Sequence, residues 1–199
     1  MNASDALDRL DQIHDHLTRA EVYRGFRVPA VFAVGVIGIL AAVAQPHVLT
    51  AGEGIGFVWY WVGVACVGGV IGGATAVRSY LLREDEFDRR QTRRVMGQFF
   101  PCVVVGAALT AAAVRHGPEL IPLLPGVWAA VFGLGIIATR PFVPRALGAV
   151  GVWYLLVGVT LILQLATIPA HWAVGGVFGL GHFATAWILW RDLGEDDDE

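Results

Sequence analysis

Residues 56–77 read GFVWYWVGVACVGGVIGGATAV, a run without a single Asp, Glu, Lys or Arg. The hydrocarbon core of a bilayer is about 30 Å thick and a helix rises about 1.5 Å per residue, so about 20 such residues cross it. Lipid offers the backbone no hydrogen-bonding partner, so a spanning segment of this kind must satisfy its polar groups internally, as a helix does. The run therefore predicts a transmembrane helix.

Similar runs recur along the chain and predict an all-α, polytopic membrane bundle. The predicted transmembrane domain is 27–190, and its six spans are 27–44, 56–77, 98–114, 120–138, 146–168 and 172–190. The chain is 56% hydrophobic and 16% charged, against about 25% charged residues in soluble domains. We therefore expect that almost no residues are left outside the bilayer for a soluble domain.

The arginines predict the orientation of the bundle. All 14 basic residues are Arg, and between the predicted spans every one of them except Arg115 falls on the same side. Loops rich in Arg stay in the cytoplasm. The sequence thus predicts a multi-pass protein of the bacterial inner (cytoplasmic) membrane, with both termini in the cytoplasm and an even number of spans.

Two terminal segments are predicted to lie outside the bilayer. Within residues 1–26, the stretch 3–20 carries apolar residues at alternating spacings of three and four, which is typical of an amphipathic helix. We expect this helix in the cytoplasm, packed under the bundle, paired with a partner or lying on the bilayer. Residues 191–199 are acidic and are predicted to form a solvated cytoplasmic tail.

The loop 78–97 is a candidate partner surface. Its acids precede its bases at i,i+4 spacing, which stabilises an exposed helix, so we expect the second and third helices to extend into the cytoplasm here. The arginines concerned are Arg89, Arg90, Arg93 and Arg94. They mark topology in the simplest interpretation. Besides the lipid bilayer, a cytoplasmic protein or a second copy of the chain is the expected partner, and nucleic acid is not.

An internal repeat links the even-numbered spans. Residues 131–139 read VFGLGIIAT and residues 177–185 read VFGLGHFAT, identical at seven of nine positions, with a fainter echo in VGGVIGGAT at 67–75. Such repeats built many membrane folds. The pattern favours three helical hairpins in the same orientation, although chance agreement in Gly- and Val-rich sequence is the alternative. The glycines would allow close approach of helix backbones.

Several functional classes are disfavoured because the spans lack the residues that these functions need. No Asp or Glu lies deep in a span, which disfavours a carboxylate-based ion pump. The sequence has no His-Glu-x-x-His helix, no phosphate-binding loop and no placed Ser-His-Asp set. We therefore expect no enzyme.

A ligand site is predicted around the only histidine near a span centre, His182. An ionisable residue inside a membrane is by default a functional-site candidate, the alternative being a neutral imidazole bonded to a neighbouring helix. Prolines before Gly126 predict a broken fourth helix, whose half-helix would aim free N–H groups at a polar or anionic ligand. Trp128, Tyr154 and Gln164 are candidates for further contacts.

Three outer histidines suggest a second kind of site. His47, His116 and His171 follow the first, third and fifth spans, so all three are predicted at the outer surface. If they converged, their imidazoles could hold zinc or copper, and a haem is a weaker option. Since sequence does not show convergence, we expect no cofactor.

Five segments carry a resemblance to a known group of proteins. They are LLPGVW at 123–128, FGLG at 132–135, TRPFVPRA at 139–146, VWYLL at 152–156 and YRGFR at 23–27. Together they resemble a family of small bacterial multi-span membrane proteins with no assigned activity. Genes of this family are often found beside winged-helix transcription regulators, which implies a membrane partner in a regulated stress or signalling unit.

These patterns favour an integral membrane protein with a non-enzymatic sensory, regulatory or accessory role. The first alternative is a small transporter or channel for a polar or anionic solute, using His182 and the broken helix. The second alternative is a membrane protein that binds a metal or haem.

Overall fold

The structure is a computed structural model, and it describes residues 27–49, 54–82, 86–164 and 168–195. Within this part of the chain the regular structure is helical and no strand occurs. The α-helices are α1 Val28–Val48, α2 Ile55–Leu82, α3 Glu86–His116, α4 Leu124–Thr139, α5 Leu147–Leu163 and α6 Val177–Glu195. The whole predicted cytoplasmic segment 1–26, including its amphipathic stretch 3–20, and the last four residues of the acidic tail lie outside the described residues.

Five of the helical segments are long and apolar enough to cross a membrane. They are Val28–Val48, Ile55–Thr75, Arg89–His116, Pro118–Phe142 and Trp172–Asp192. The predicted fifth span, 146–168, is longer than the helix found there, because α5 has 17 residues and ends at Leu163. Gln164 leaves helical geometry, with φ −111° and ψ 59°. Helix α6 continues to Glu195, beyond the predicted end of the sixth span at 190.

The segment before α4, where the prolines predict a break, is helical but not α-helical. Pro118–Leu123 form a 3₁₀ helix, and α4 begins at Leu124 with Pro125 in its first turn. Proline is tolerated at the first positions of a helix because the N–H that it lacks has no partner there. The α-helix thus starts two residues before Gly126, which lies inside its first turn.

Helices α4 and α5 are antiparallel and approach closely through glycines. A Cβ built on Gly133 would lie 2.6 Å from the carbonyl oxygen of Gly151, and one built on Gly158 would lie 2.7 Å from that of Gly126. No side chain fits at such distances, so these positions hold the two backbones together.

Helices α1 and α6 form a second glycine contact. A Cβ on Gly179 would lie 2.6 Å from Ile39 Cδ1 and 3.2 Å from the carbonyl oxygen of Gly35. Further along, Gly175 lies directly against the carbonyl oxygen of Gly38. A π-helical turn, Trp172–Gly176, brings the chain into this contact.

Helix α2 is packed differently. Gly69, Gly72 and Gly73 have no described atom within 4 Å of a built Cβ, and the described part of α2 contacts α3 only sparsely. Val67 and Val70 of the same helix are 50% and 69% exposed. Glycine, the residue type that holds α4 to α5, therefore lines an open apolar face on α2.

Candidate functional site

Tyr154 of α5 and His182 of α6 meet in the interior of the bundle. The Tyr154 hydroxyl donates to the backbone carbonyl oxygen of Phe178 at 3.1 Å and lies 3.3 Å from His182 Nδ1. His182 Nδ1 lies 2.7 Å from the same carbonyl oxygen. Tyr154 is fully buried and His182 is half-buried. Two of the predicted ligand residues, Tyr154 and His182, are thus in contact.

This geometry determines which nitrogen of His182 carries the proton. A carbonyl oxygen has no proton to give, so the 2.7 Å contact with Phe178 assigns a proton to Nδ1. A charged imidazole is costly among apolar helices, so the neutral form is favoured and Nε2 is left with a lone pair. No hydrogen bond from a described residue reaches Nε2. The site consequently offers Nε2 as a hydrogen-bond acceptor.

Gly181 makes room for the tyrosine hydroxyl. A Cβ built on Gly181 would overlap Tyr154 at its Oη, Cζ and Cε2 atoms. At the corresponding position of the other repeat copy, a Cβ on Gly135 would instead meet Phe99 at 2.8 Å. Both glycines accept a ring from the preceding helix, and only the α6 copy accepts a polar one.

Aromatic rings surround the polar pair. The ring of Phe132 on α4 has its centre 5.1 Å from that of Tyr154, 5.2 Å from that of Phe178 and 5.8 Å from that of His182. The ring of Phe99 on α3 has its centre 5.3 Å from that of Phe132. The imidazole therefore lies in an apolar, aromatic environment in which its free nitrogen is a distinctive polar feature.

The remaining predicted ligand residues lie elsewhere. Trp128 belongs to a separate apolar cluster, where its ring stacks on Phe57 at 6.2 Å and its Nε1–H donates to the Thr110 hydroxyl at 2.8 Å. Gly126 is buried against α5, where a built Cβ would lie 2.7 Å from the carbonyl oxygen of Gly158. Gln164 is exposed just after the end of α5.

The outer histidines are not gathered into one centre. Among the described residues, no three His, Cys, Asp or Glu side chains are grouped closely enough to hold a metal ion. His47 and His116 are exposed and His171 is half-buried, with its ring 5.9 Å from that of Trp172. The end positions of different helices are therefore related in sequence without their side chains being brought together.

A buried hydrogen-bonded pair close to His47 was not predicted from the sequence. The Trp61 Nε1–H donates to Gln45 Oε1 at 2.6 Å, and both residues are buried. The Tyr60 hydroxyl donates to the carbonyl oxygen of Ala41 at 2.7 Å, so two side chains of α2 bond to α1. A Gln within an apolar run was the available signal, because buried amides need partners.

The arginine surface, formed by Arg89, Arg90, Arg93 and Arg94 on α3, faces mainly outward. The last three of these residues are exposed and Arg89 is half-buried. This surface lies in the first turns of α3, at the same end of the bundle as the turn Arg140–Phe142 that α3 contacts.

Gln91 lies on the inner side of the same turn of α3. It is 7% exposed, and its Nε2 has no hydrogen-bond partner among the described residues. A buried amide without a hydrogen-bond partner costs about 1–3 kcal/mol.

Comparison with protein-family models, curated proteins and solved structures yields no match to this chain.

Proposed function

We propose that this chain is a non-enzymatic regulatory or accessory protein of the bacterial inner membrane, and that its arginine surface binds a cytoplasmic protein. The observation that carries the proposal is the length of α3. Its 31 residues rise about 46 Å, whereas the hydrocarbon core is about 30 Å thick. The part of α3 that exceeds the thickness of the hydrocarbon core is its N-terminal end, which bears the exposed arginines.

The topology required by this proposal has six crossings and both termini in the cytoplasm. The separation of Arg115 from all other arginines supports it, as do five helical segments of sufficient length and apolarity. The 17-residue α5 would be the sixth crossing, and its close contact with α4 supports a position inside the same bundle. Three like-oriented hairpins are the arrangement we favour, supported by the repeat glycines.

Chemistry favours a partner with an acidic surface. Arg forms bidentate hydrogen bonds with carboxylates, and the exposed residues Arg93 and Arg94 can engage two of them. A second copy of the chain is a less favoured partner, because its arginine surface would meet an identical one in a symmetric contact.

The test is cross-linking in native membranes, followed by identification of the captured proteins. The double substitution Arg93→Glu and Arg94→Glu reverses two exposed charges and is expected to change stability little. Arg115→Glu, exposed at the other end of α3, is the matched control. We expect one protein to be captured by the wild type and the control and to be reduced at least tenfold with the double variant. Capture that is unchanged across all three, or no capture by the wild type, would contradict the proposal.

The acceptor nitrogen of His182 favours a second candidate function, a small transporter for a polar solute. An anionic solute is less favoured, because Gly126, which was predicted to help bind one, packs against Gly158 and Ile162. The measurement is uptake of a panel of polar solutes into proteoliposomes. Uptake that His182→Ala leaves unchanged would exclude a route through this site.

A further inference from the structure

Arg27, which precedes α1, and Arg191, near the end of α6, lie at almost the same level of the bundle. The two helices are antiparallel through their glycine contact, and beside it the ring of Phe32 has its centre 5.1 Å from that of Phe183. Arg27 lies five residues before Phe32, and Arg191 lies eight residues after Phe183. At about 1.5 Å per residue, the two arginines therefore differ in level by about 5 Å, less than one helical turn.

This end of the α1–α6 pair is backed by closely packed residues. Val28 and Val31 of α1 pack against the buried cluster that contains Leu189 of α6. Leu189 is 6% exposed and lies two residues before Arg191. The packing agrees with the level deduced from the phenylalanine rings, and it fixes the backbones that carry the two arginines relative to each other.

Two exposed tryptophans of α6 lie beside Arg191. The rings of Trp187 and Trp190 have their centres 5.3 Å apart, and the residues are 59% and 58% exposed. Leu180 lies seven residues before Trp187 and Arg191 four residues after it, so these three side chains share one face of α6. Along this face the side chains pass from apolar to aromatic to basic, in the order in which a bilayer passes from hydrocarbon to headgroup.

We call Arg27, Phe32, Trp187, Trp190 and Arg191 the Trp–Arg surface. All five are exposed, with Phe32 at 52%. Two positive charges at one level attract an anion more strongly than either charge alone.

The nearest acidic residue in the sequence does not cancel this charge on the same face. Asp192 follows Arg191 directly, so it lies about 100° further around α6. The face shared by Trp187 and Arg191 is therefore basic at its end and apolar above it.

The chemistry of the Trp–Arg surface selects the kind of ligand. Guanidinium groups form bidentate hydrogen bonds with phosphate oxygens. Tryptophan rings prefer the boundary between hydrocarbon and headgroups, and the exposed Phe32 and Leu180 offer apolar contacts to an acyl chain. A free phosphate ion would use only the arginines, whereas a phospholipid with a net negative headgroup would use the whole surface.

We propose that the Trp–Arg surface binds an anionic phospholipid, whose phosphate contacts Arg27 and Arg191 and whose acyl chain lies along α1 and α6. In the topology proposed above, the lipid belongs to the cytoplasmic leaflet. The site goes beyond the proposed function and uses no residue of the arginine surface. Its failure would leave the capture of a partner protein untouched, because the two tests use different residues and different readouts.

The experiment is quenching of tryptophan fluorescence by brominated lipids in nanodiscs that contain the full-length protein. Nanodiscs present both leaflets, so the result does not depend on the orientation of the bundle. The probes are phosphatidylglycerol and phosphatidylcholine with the same brominated acyl chain, each diluted into unbrominated lipid. An arginine near an anionic lipid contributes about fivefold in affinity, so two arginines should give the wild type about a 25-fold preference for phosphatidylglycerol.

Three sets of variants locate the site. Arg27→Gln and Arg191→Gln should each reduce the preference about fivefold, and the double variant should abolish it. The double variant Trp187→Phe and Trp190→Phe should remove the selective part of the quenching, because these rings report it. Arg94→Gln, an exposed arginine of α3, is the matched control and should keep the preference of the wild type.

A second arm separates a phospholipid from free phosphate. An excess of inorganic phosphate at constant ionic strength should leave the preference of the wild type unchanged, and its loss would assign the site to a free anion and overturn the proposal. Equal quenching of the wild type by the two lipids would also overturn it. So would a preference that survives the double arginine variant or the double tryptophan variant, or one that Arg94→Gln lowers as much as Arg191→Gln does.

Discussion

The contact between α4 and α5 and the open face of α2 use the same residue type with opposite results. Gly133 and Gly151 bring two backbones together so closely that neither position can carry a side chain. Gly69 and Gly72, in the corresponding segment of α2, have no described atom within 4 Å of a built Cβ. Helices in lipid associate through packing rather than the hydrophobic effect, so close packing should stabilise the first region and not the second.

The largest expected effect separates these two regions. Gly133→Leu forces α4 and α5 apart and is expected to lower the free energy of unfolding by about 3 kcal/mol or more, or to prevent accumulation of the protein. Gly69→Leu should change it by less than about 0.5 kcal/mol. Reversible unfolding in mixed micelles with a denaturing detergent measures both. Similar losses in the two variants would show that α2 is as tightly packed as α4.

Substitution of Gly181, which lies against the Tyr154 ring and hydroxyl, should give the next largest effect. Gly181→Ala places a methyl group against the Tyr154 ring and hydroxyl, and we expect a loss of about 2 kcal/mol. Tyr154→Phe alone should cost about 1 kcal/mol through the lost hydrogen bond to Phe178. Because Phe relieves part of the overlap, the double variant should lose less than the sum of the two. Simple additivity in this cycle would count against the contact.

The buried pair of Gln45 and Trp61 should give an intermediate effect. Gln45→Leu leaves the Trp61 N–H buried without its acceptor, and the expected cost is about 1–2 kcal/mol. Adding Trp61→Phe removes the orphaned donor and should recover part of that loss. The same unfolding assay applies, and a double variant that is less stable than Gln45→Leu by a full additive increment would argue against the pair.

Relief of the unpaired amide of Gln91 is the smallest expected effect. Gln91→Met keeps the size of the side chain and removes the Nε2 that has no partner among the described residues, so we expect stabilisation of about 0.5–1 kcal/mol. Thr92→Val, at the neighbouring buried position, is a comparison variant. Destabilisation by Gln91→Met would show that the amide makes a bond in the membrane-bound protein.

The helices could be predicted because run length and the absence of charge are local properties. The ends were less predictable, since residues such as Gln164 leave the helix for reasons outside an apolar pattern. His182 was identified from its position alone, because an ionisable group in an apolar run is conspicuous. Its contact with Tyr154 depends on how α5 and α6 align across 28 residues, which no local pattern encodes.

The glycines and outer histidines show the same limit. Gly126 was predicted to expose helix N–H groups to a ligand, but its neighbour in space is Gly158 of another helix. His47 and His116 have related sequence positions, yet their side chains are exposed rather than gathered. Sequence periodicity gives the face of a helix, and the identity of the helix opposite is a tertiary property.

The contrast between α2 and the rest of the bundle is tested most directly by distances between spin labels in nanodiscs. Val70, Leu134 and Leu180 all face outward, so labelled cysteines fit there once Cys66 and Cys102 are replaced. Double electron–electron resonance should give a single narrow distance distribution for the pair 134 and 180, and distinctly broader distributions for both pairs that include 70. Three distributions of equal width would contradict the open, loosely packed face of α2.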